Sequence, residues 1–293
     1  MEDACPSGAT TADALRWAVR NLALAGCESP RLDGELLLAH VLGTSRAGLP
    51  LAWDRCLAPE DIRALTALVR RRAAREPLAY LTGRRPFYDL ELYVAPGALV
   101  PRPETEALVE EVLAWARDRR GPLRIADVGT GSGALAVTLA RHLPGATVVA
   151  TDLSAEALAV AARNVARYAL DGRVALLRAD LLAGVAGPLD AVVSNPPYVP
   201  SGRLGELAPE IRDHEPREAL DGGPDGLDVI RRLLPQAARR LGAGGLLVVE
   251  IDETQGAAAA ALARNALPGA DVAVLPDLAG LDRVLRVSLP DHR

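Results

Sequence analysis

The sequence predicts an α/β fold: a mostly parallel sheet with helices on both faces and an antiparallel C-terminal edge, preceded by a small helical domain. Three observations carry that expectation. Beyond residue 120, short Val- and Leu-rich runs alternate with amphipathic helical stretches, the pattern of strand–helix–strand crossovers. The last two runs, DVAVLPD and DRVLRVSL, leave no room for a helix between them, so they pair antiparallel at one edge. Residues 11–82 carry helical spacing instead.

The elements follow in order. Ala14, Leu15, Ala18, Val19 and Leu22 recur at helix spacing, followed by Leu32, Leu36 and Leu37. A third helix, from Pro59 to Ala74, opens with Pro and acids and closes with Arg70–Arg72, an order of charge that suits the helix dipole. The Arg run reads as a solvated helix end in preference to an RNA contact. FYDLELYV, residues 87–94, alternates and is rich in aromatic and β-branched residues, so it is expected to form a strand or hairpin. PGALVPRPETE then makes a Pro-punctuated link. These divisions give a helical domain over 1–84, a hairpin and linker over 85–100, and the α/β domain over 101–293. Within the last, LRIADVG, ATVVATD, VALLRAD, DAVVSN and GGLLVVEI are strands. SGALAVTLARHL, SAEALAVAARNVARYA (opened by a Ser cap), LDVIRRLLPQAARRL and TQGAAAAALARNAL are helices.

Composition narrows the function. The 293 residues are 49% hydrophobic and 24% charged, enough for a buried core and unlike a disordered or collagen-like chain. No apolar stretch reaches the roughly 18–20 uncharged residues of a membrane helix. The start, MEDACPSGATTAD, lacks the basic and apolar regions of a secretory signal, so a cytoplasmic protein without membrane partners is expected. A net charge of −5 argues against a protein that grips phosphate backbones, and no direct nucleic-acid binding is expected. Cys5, Cys27 and Cys56 are odd in number and widely spaced, with no CxxC, so neither a disulfide framework nor a metal site is expected.

The first strand of the α/β domain runs into Asp127-Val-Gly129-Thr130-Gly131-Ser132-Gly133-Ala134. Glycines there let the backbone turn sharply and a ligand lie against it. Asp152 ends the next strand, where a carboxylate can accept both hydroxyls of a ribose. The loop also fits the dinucleotide fingerprint, so alone it leaves the cofactor open. Two features favour S-adenosylmethionine, which carries an amino acid, a ribose and an adenine but no phosphate. Asp127 would repel a pyrophosphate and attract an ammonium. Asp180, ending the third strand, can bond an exocyclic amine while Leu181 packs on the ring. The plainer alternative makes Asp127 a surface carboxylate and Gly133 a packing glycine.

The fourth strand ends in Ser194-Asn195-Pro196-Pro197-Tyr198. Neither proline can donate from its backbone, while both carbonyls and the Asn195 side chain can accept. Such a rim suits a group with two N–H donors, a primary amide or an exocyclic amine, with Tyr198 stacked on its π-system. Acceptors on both amide hydrogens raise the electron density on nitrogen and aim it, so catalysis rests on positioning and electrostatic stabilisation.

With REPLAYLTG, PGALVPRPETE, DVGTGSGALA, VVSNPPYVP, EPREALDGGPDGLD and DLAGLDRV, the chain resembles the HemK/PrmC family over nearly its whole length. That family modifies the glutamine of the Gly-Gly-Gln motif in class I peptide-chain release factors. The resemblance implies a class I S-adenosylmethionine-dependent methyltransferase fold, Rossmann-like, behind a helical domain that recognises the substrate. It implies that Gly129, Thr130, Gly131, Ser132 and Gly133 line the cofactor site and that Asp152 holds the ribose. Asp180, Leu181 and Asn195 would also face the cofactor. Asn195 and Pro196 would accept from the substrate amide, with Pro197 and Tyr198 shaping its pocket. The Arg102–Thr105 stretch would pack near both ligands or simply lead into the next helix. The loop from Glu215 to Asp228 either braces the NPPY turn or caps the next helix, and a structural role is expected. Asp252 stands where the family often shows glycine, at a strand end expected to lie away from the amide pocket.

Four alternatives compete, one of them a non-catalytic binding protein with a vestigial cofactor site, against which the intact Asn195–Tyr198 and Asp152 argue. A ribosomal-protein glutamine methyltransferase would use the same pocket. An adenine-N6 methyltransferase would want a basic recognition surface, against the net charge. A dehydrogenase lacks a proton relay, because His40, His142, His214 and His292 lie outside the strand-end motifs. Of these, His142 reads as a surface residue and His214 as a loop residue.

Overall fold

The computed structural model describes residues 4–277 and 279–291. The first three residues, Leu278 of the DLAGLDRV motif, and His292 lie outside the described residues. The chain divides into two units, residues 1–84 with 208–214, and residues 85–207 with 215–293.

The first unit is helical: α1 (Thr11–Leu24), α2 (Pro30–Val41), α3 (Pro59–Ala73) and α4 (Leu78–Thr82), with a 3₁₀ segment at Arg46–Ala52. Thr10 and Asp13 form a capping box that starts α1. Ala14, Ala18 and Leu22 of α1 are buried against Leu37 and Leu38 of α2 and Leu65 and Val69 of α3, the apolar stripe read from the sequence.

In the second unit, β1 (Arg84–Phe87) and β2 (Leu90–Tyr93) make a two-stranded hairpin that begins three residues before the expected one. Then come α5 (Glu106–Ala116), β3 (Arg124–Val128), α6 (Ala134–His142), β4 (Thr147–Asp152), α7 (Ala155–Arg167), β5 (Val174–Arg178) and β6 (Leu189–Ser194). The chain continues through α8 (Pro209–Arg212), α9 (Asp228–Arg240), β7 (Leu241–Glu250), α10 (Gly256–Ala266), β8 (Asp271–Pro276) and β9 (Asp282–Ser288). The strand order is β5-β4-β3-β6-β7-β9-β8. The pairs from β5 to β7 are parallel, and β9 pairs antiparallel with both β7 and β8. This is the predicted architecture.

Alternation along each strand builds two cores. Ile125, Ala191, Val193, Leu246 and Val248 face a cluster with α5 and α6. Ala126, Val128, Val192, Leu247 and Val249 face one with α9 and α10. Ser154 caps α7, its hydroxyl accepting from Ala157 N at 3.1 Å. From β3 the chain winds one way to β4 and β5, then returns to β6 on the other side, so the strand order reverses between β3 and β6. Ligands settle at such a switch point, outside the carboxyl ends of the strands. No helix among the described residues is long and apolar enough to cross a membrane.

The short helix α8 belongs to the helical unit. Glu210 accepts from Arg72 at 2.9 Å and from Arg75 at 2.7 Å, and Arg72 also donates to Asp33 at 2.7 Å. Arg72 is 7% exposed. The reading of Arg70–Arg72 as a solvated helix end therefore fails at Arg72. Two carboxylates distant in sequence share its guanidinium and offset the loss of water.

Candidate active site

The carboxyl ends of β3, β4 and β6 open onto a cavity of about 880 Å³. Gly129, Thr130, Gly131, Ser132, Asp152, Asp180, Leu181, Asn195, Pro196 and Pro197 line it, as do Asp127 and Thr105. Gly133 and Tyr198, both expected at the site, are not among its lining residues.

The glycine loop is held at both ends. Gly129 N and Thr130 N donate to the Thr151 carbonyl at 2.9 Å, and Gly133 N donates to the Thr130 carbonyl at 2.8 Å. Gly129 and Gly131 have φ of +71° and +55°, and a Cβ added to either would meet no atom within 4 Å. That space lies against bare backbone, a cradle that side chains would fill. Gly133 differs. At φ +82° it precedes α6, and its Cβ would stand 3.2 Å from the Ala161 Cβ. Close packing of helix against helix explains this glycine, as the plainer alternative had it.

Asp127 is not a surface carboxylate: it is fully buried. Its Oδ2 accepts from Thr130 Oγ1 at 2.6 Å and from Ala136 N at 3.0 Å. Its Oδ1 has no hydrogen-bond partner among the described residues. Burial pushes its carboxyl up to about 7, against the two hydrogen bonds that favour the charged form. An orphaned buried acceptor is costly, so this atom suits a ligand N–H donor. Asp152 Oδ2 accepts from Gly131 N and its Oδ1 from Ser154 N, both at 2.9 Å, which fixes the carboxylate beside the loop. Asp180 pairs with Arg232 through Oδ2, and its buried Oδ1 is also without a partner. Two carboxylate acceptors without partners among the described residues, beside a bare backbone cradle, fit a ligand rich in N–H and hydroxyl donors better than a pyrophosphate.

The NPPY turn is tied down from behind. Ser194 pairs with Val249 across β6 and β7, so Asn195 and Glu250 leave the sheet side by side. Asn195 Nδ2 donates to Thr105 Oγ1 at 2.8 Å, Thr105 Oγ1 donates to Glu250 Oε2 at 2.6 Å, and the Tyr198 hydroxyl donates to Glu250 Oε1 at 3.0 Å. Glu250 is fully buried. Burial raises its carboxyl above the usual range, while the Thr105 and Tyr198 hydroxyls and the Arg283 charge oppose that shift. Burial and then the Glu250 charge push the Tyr198 phenol up, so it stays protonated. The Tyr198 hydroxyl thus belongs to this network, and the residue is not among those lining the cavity.

This geometry corrects one expectation. The end of the GGLLVVEI strand lies against the NPPY turn, not away from it. Gln255 Nε2 donates to the Tyr198 carbonyl at 2.9 Å, and Gln255 Oε1 accepts from Asp252 N at 3.0 Å. Asp252 therefore braces the turn at one remove. The sequence signals Glu250 only as a lone acid closing an apolar run, and carries no local sign of Gln255. The 215–228 loop braces the turn from the other side: Val199 N donates to the Leu220 carbonyl and Gly222 N to the Val199 carbonyl. A Cβ on Gly222 would stand 2.7 Å from the Pro197 carbonyl oxygen, which explains the paired glycines of ALDGGPDGLD. Glu215 accepts from Val100 N and from Arg102, anchoring the PRPETE stretch. His142 pairs with Asp89 and His214 is a half-buried turn residue, both outside the cavity lining.

Comparison with known proteins agrees with this picture. A family model described as the PrmC N-terminal domain matches residues 13–83, and one described as the methyltransferase small domain matches residues 105–208. The release factor glutamine methyltransferase of Moorella thermoacetica is 48% identical over 278 residues, which span 94% of this chain and 96% of that protein. That of Geobacter sulfurreducens is 45% identical over 240 residues, 81% of this chain and 82% of its own. A 16S rRNA methyltransferase from T. thermophilus, solved with AdoMet and guanosine, has a TM-score of 0.51 at 19% identity. It matches 70% of this chain and 49% of its own length, a likeness of fold. Identity of this extent, over both domains at once, establishes kinship: the chain belongs to the family of release factor glutamine methyltransferases.

Proposed function

We propose that this chain transfers a methyl group from S-adenosylmethionine to the side-chain amide nitrogen of the glutamine in the Gly-Gly-Gln motif of class I release factors, in the cytoplasm. One observation carries the reading. An orphaned, fully buried acceptor on Asp127 and the acceptor rim of Asn195, Pro196 and Pro197 line a single cavity. The first suits the cofactor's ammonium and the second a carboxamide.

Asp127 Oδ1 would take the ammonium, Gly129 and Gly131 would pass the chain of the amino acid, and Asp152 would accept from the ribose. Asp180 Oδ1 would accept from the adenine amine beside Leu181. When bound, S-adenosylmethionine would supply a sulfonium methyl for the amide nitrogen, leaving as the neutral thioether while the displaced amide proton passes to solvent water. Asn195 Oδ1 and the Pro196 carbonyl would accept from the amide hydrogens, holding the nitrogen in line and stabilising its growing positive charge. Asn195 Oδ1 is available for this because it accepts no hydrogen bond among the described residues. The helical unit would select the protein substrate.

Incubation with labelled S-adenosylmethionine and an intact release factor, followed by mass mapping, tests the proposal. Label on the Gly-Gly-Gln glutamine is expected. Label only on a ribosomal protein or on nucleic acid would replace the reading with one of its competitors.

A further inference from the structure

We propose that Thr105 and Glu250 are positioning residues that set the hydrogen-bond polarity of the active site, forcing Asn195 to present its carbonyl oxygen, and not its NH₂, to the substrate amide. The inference rests on the methyltransferase reading above and deepens it.

An asparagine side chain is nearly symmetric in shape, and nothing in its own sterics selects which end faces a ligand. Here the choice is made two side chains away. Glu250 is buried at the end of β7 with a hydroxyl on each oxygen, Tyr198 at 3.0 Å and Thr105 at 2.6 Å. Both hydroxyls donate to it, so each has spent its single hydrogen. Thr105 then has only lone pairs left for Asn195, at 2.8 Å, and only the NH₂ of Asn195 can meet them. The Asn195 oxygen is thereby turned toward the cavity that the residue lines.

The same chain run backwards shows why the charge matters. A group at position 250 that donates to Thr105 would free the Thr105 hydrogen for the Asn195 oxygen. The carboxamide would then flip, and two N–H donors would confront the two N–H donors of the substrate. The groups facing Glu250 set its charge. Burial, the largest influence, and Glu104 raise its carboxyl, while Thr105 before α5, Tyr198 after β6 and Arg283 of β9 oppose that rise; the polarity rests on the bonds that the two hydroxyls donate. The three links come from three separate motifs, PRPETE, NPPY and the VVEI strand end, which gives Thr105 a task that a simple linker would not need.

The test uses the full-length enzyme with a release factor substrate and two near-isosteric variants. Thr105→Val deletes the relay hydroxyl and Glu250→Gln supplies a donor. Each is expected to lower kcat about 10- to 100-fold while the cofactor Kd moves less than about threefold, the pattern of a misaimed group. Thr105→Ser keeps the hydroxyl and should recover most of the rate lost in Thr105→Val. Because each acts through Asn195, adding Asn195→Ala to either variant should cost no more than Asn195→Ala alone. Thermal unfolding of each variant separates misaiming from collapse. Should Glu250→Gln fail to fold, Thr105→Val and Thr105→Ser decide the matter alone. Wild-type kcat in Thr105→Val, or equal rates for the Val and Ser variants, would overturn the inference and leave the methyltransferase reading intact. A wild-type enzyme that places no methyl on the glutamine would overturn both.

Discussion

The glycine loop and the NPPY turn sit on neighbouring strands of one sheet, yet they are built on opposite principles. The loop side leaves polar groups unmet. Asp127 Oδ1 and Asp180 Oδ1 are buried without partners among the described residues, and Gly129 and Gly131 face open space. The turn side satisfies nearly everything. Asn195, Thr105, Tyr198, Glu250 and Gln255 join in one network, and the Asn195 oxygen is left over. Unmet acceptors store free energy that a ligand recovers on binding, which suits a cofactor site. A satisfied network fixes one acceptor at one angle, which suits a reacting group. On the proposed function, affinity and aim would fall to different halves of the cavity.

That division is exposed to mutation. The largest effect should come from Asn195→Ala, which removes the aimed acceptor. A kcat loss of about 10²–10³ is expected, comparable to deleting one preorganised group from an oxyanion site, with the cofactor Kd nearly unchanged. Equal losses in both quantities would erase the distinction between the halves.

Next comes Asp127→Asn, which should weaken cofactor binding by about 1.5–3 kcal/mol for a lost charged hydrogen bond, with kcat at saturation little altered. Its pH signature sharpens the test. The Asp127 carboxyl lies at about 7 in the free protein, and an ammonium binds the ionised form. Affinity should therefore be full above that value and fall as pH drops, approaching tenfold per unit. The stability contribution runs the same way in reverse. The folded protein keeps a proton that the unfolded chain releases near pH 4, so this group lowers stability as pH rises from about 4 to about 7. Calorimetry across that window should show the acid limb of binding in the wild type and a flat line in Asp127→Asn.

Asp152→Ala should follow, with a binding loss of about 1–3 kcal/mol in calorimetry. Unchanged affinity would remove it from the ribose. The smallest effect on binding should be at Gly133. Gly133→Ala meets both a left-handed backbone and the Ala161 side chain, so a stability loss of about 1–3 kcal/mol is expected in denaturant unfolding. Cofactor affinity should hold in the folded fraction. Gly131→Ala, placed in the cradle, should lose affinity as well. Matching behaviour of the two variants would mean that the loop serves packing alone.

The alternation of strand and helix, the antiparallel edge and the two strand-end motifs were legible because they are local. Periodicity reports burial on each face, and a glycine or proline reports its own backbone. Glycine at 129 and 131 and the donor-free Pro196 and Pro197 needed no third dimension to be read. The sequence was misleading where a side chain's partner lies far along the chain. Arg72 reads as a solvated helix end until Asp33 and Glu210 close on it. The Tyr198 hydroxyl likewise gives no local sign of its bond to Glu250, 52 residues further on.

By itself, then, the sequence determined the layered fold, the cofactor edge and the chemical character of the rim, since each follows from residue type and spacing. Only the tertiary structure decided which acceptors stay unmet and which way Asn195 points. Those depend on hydrogen-bond polarity passed between β6, β7 and the approach to α5, and a hydrogen bond's direction is settled by what its partner has left to give.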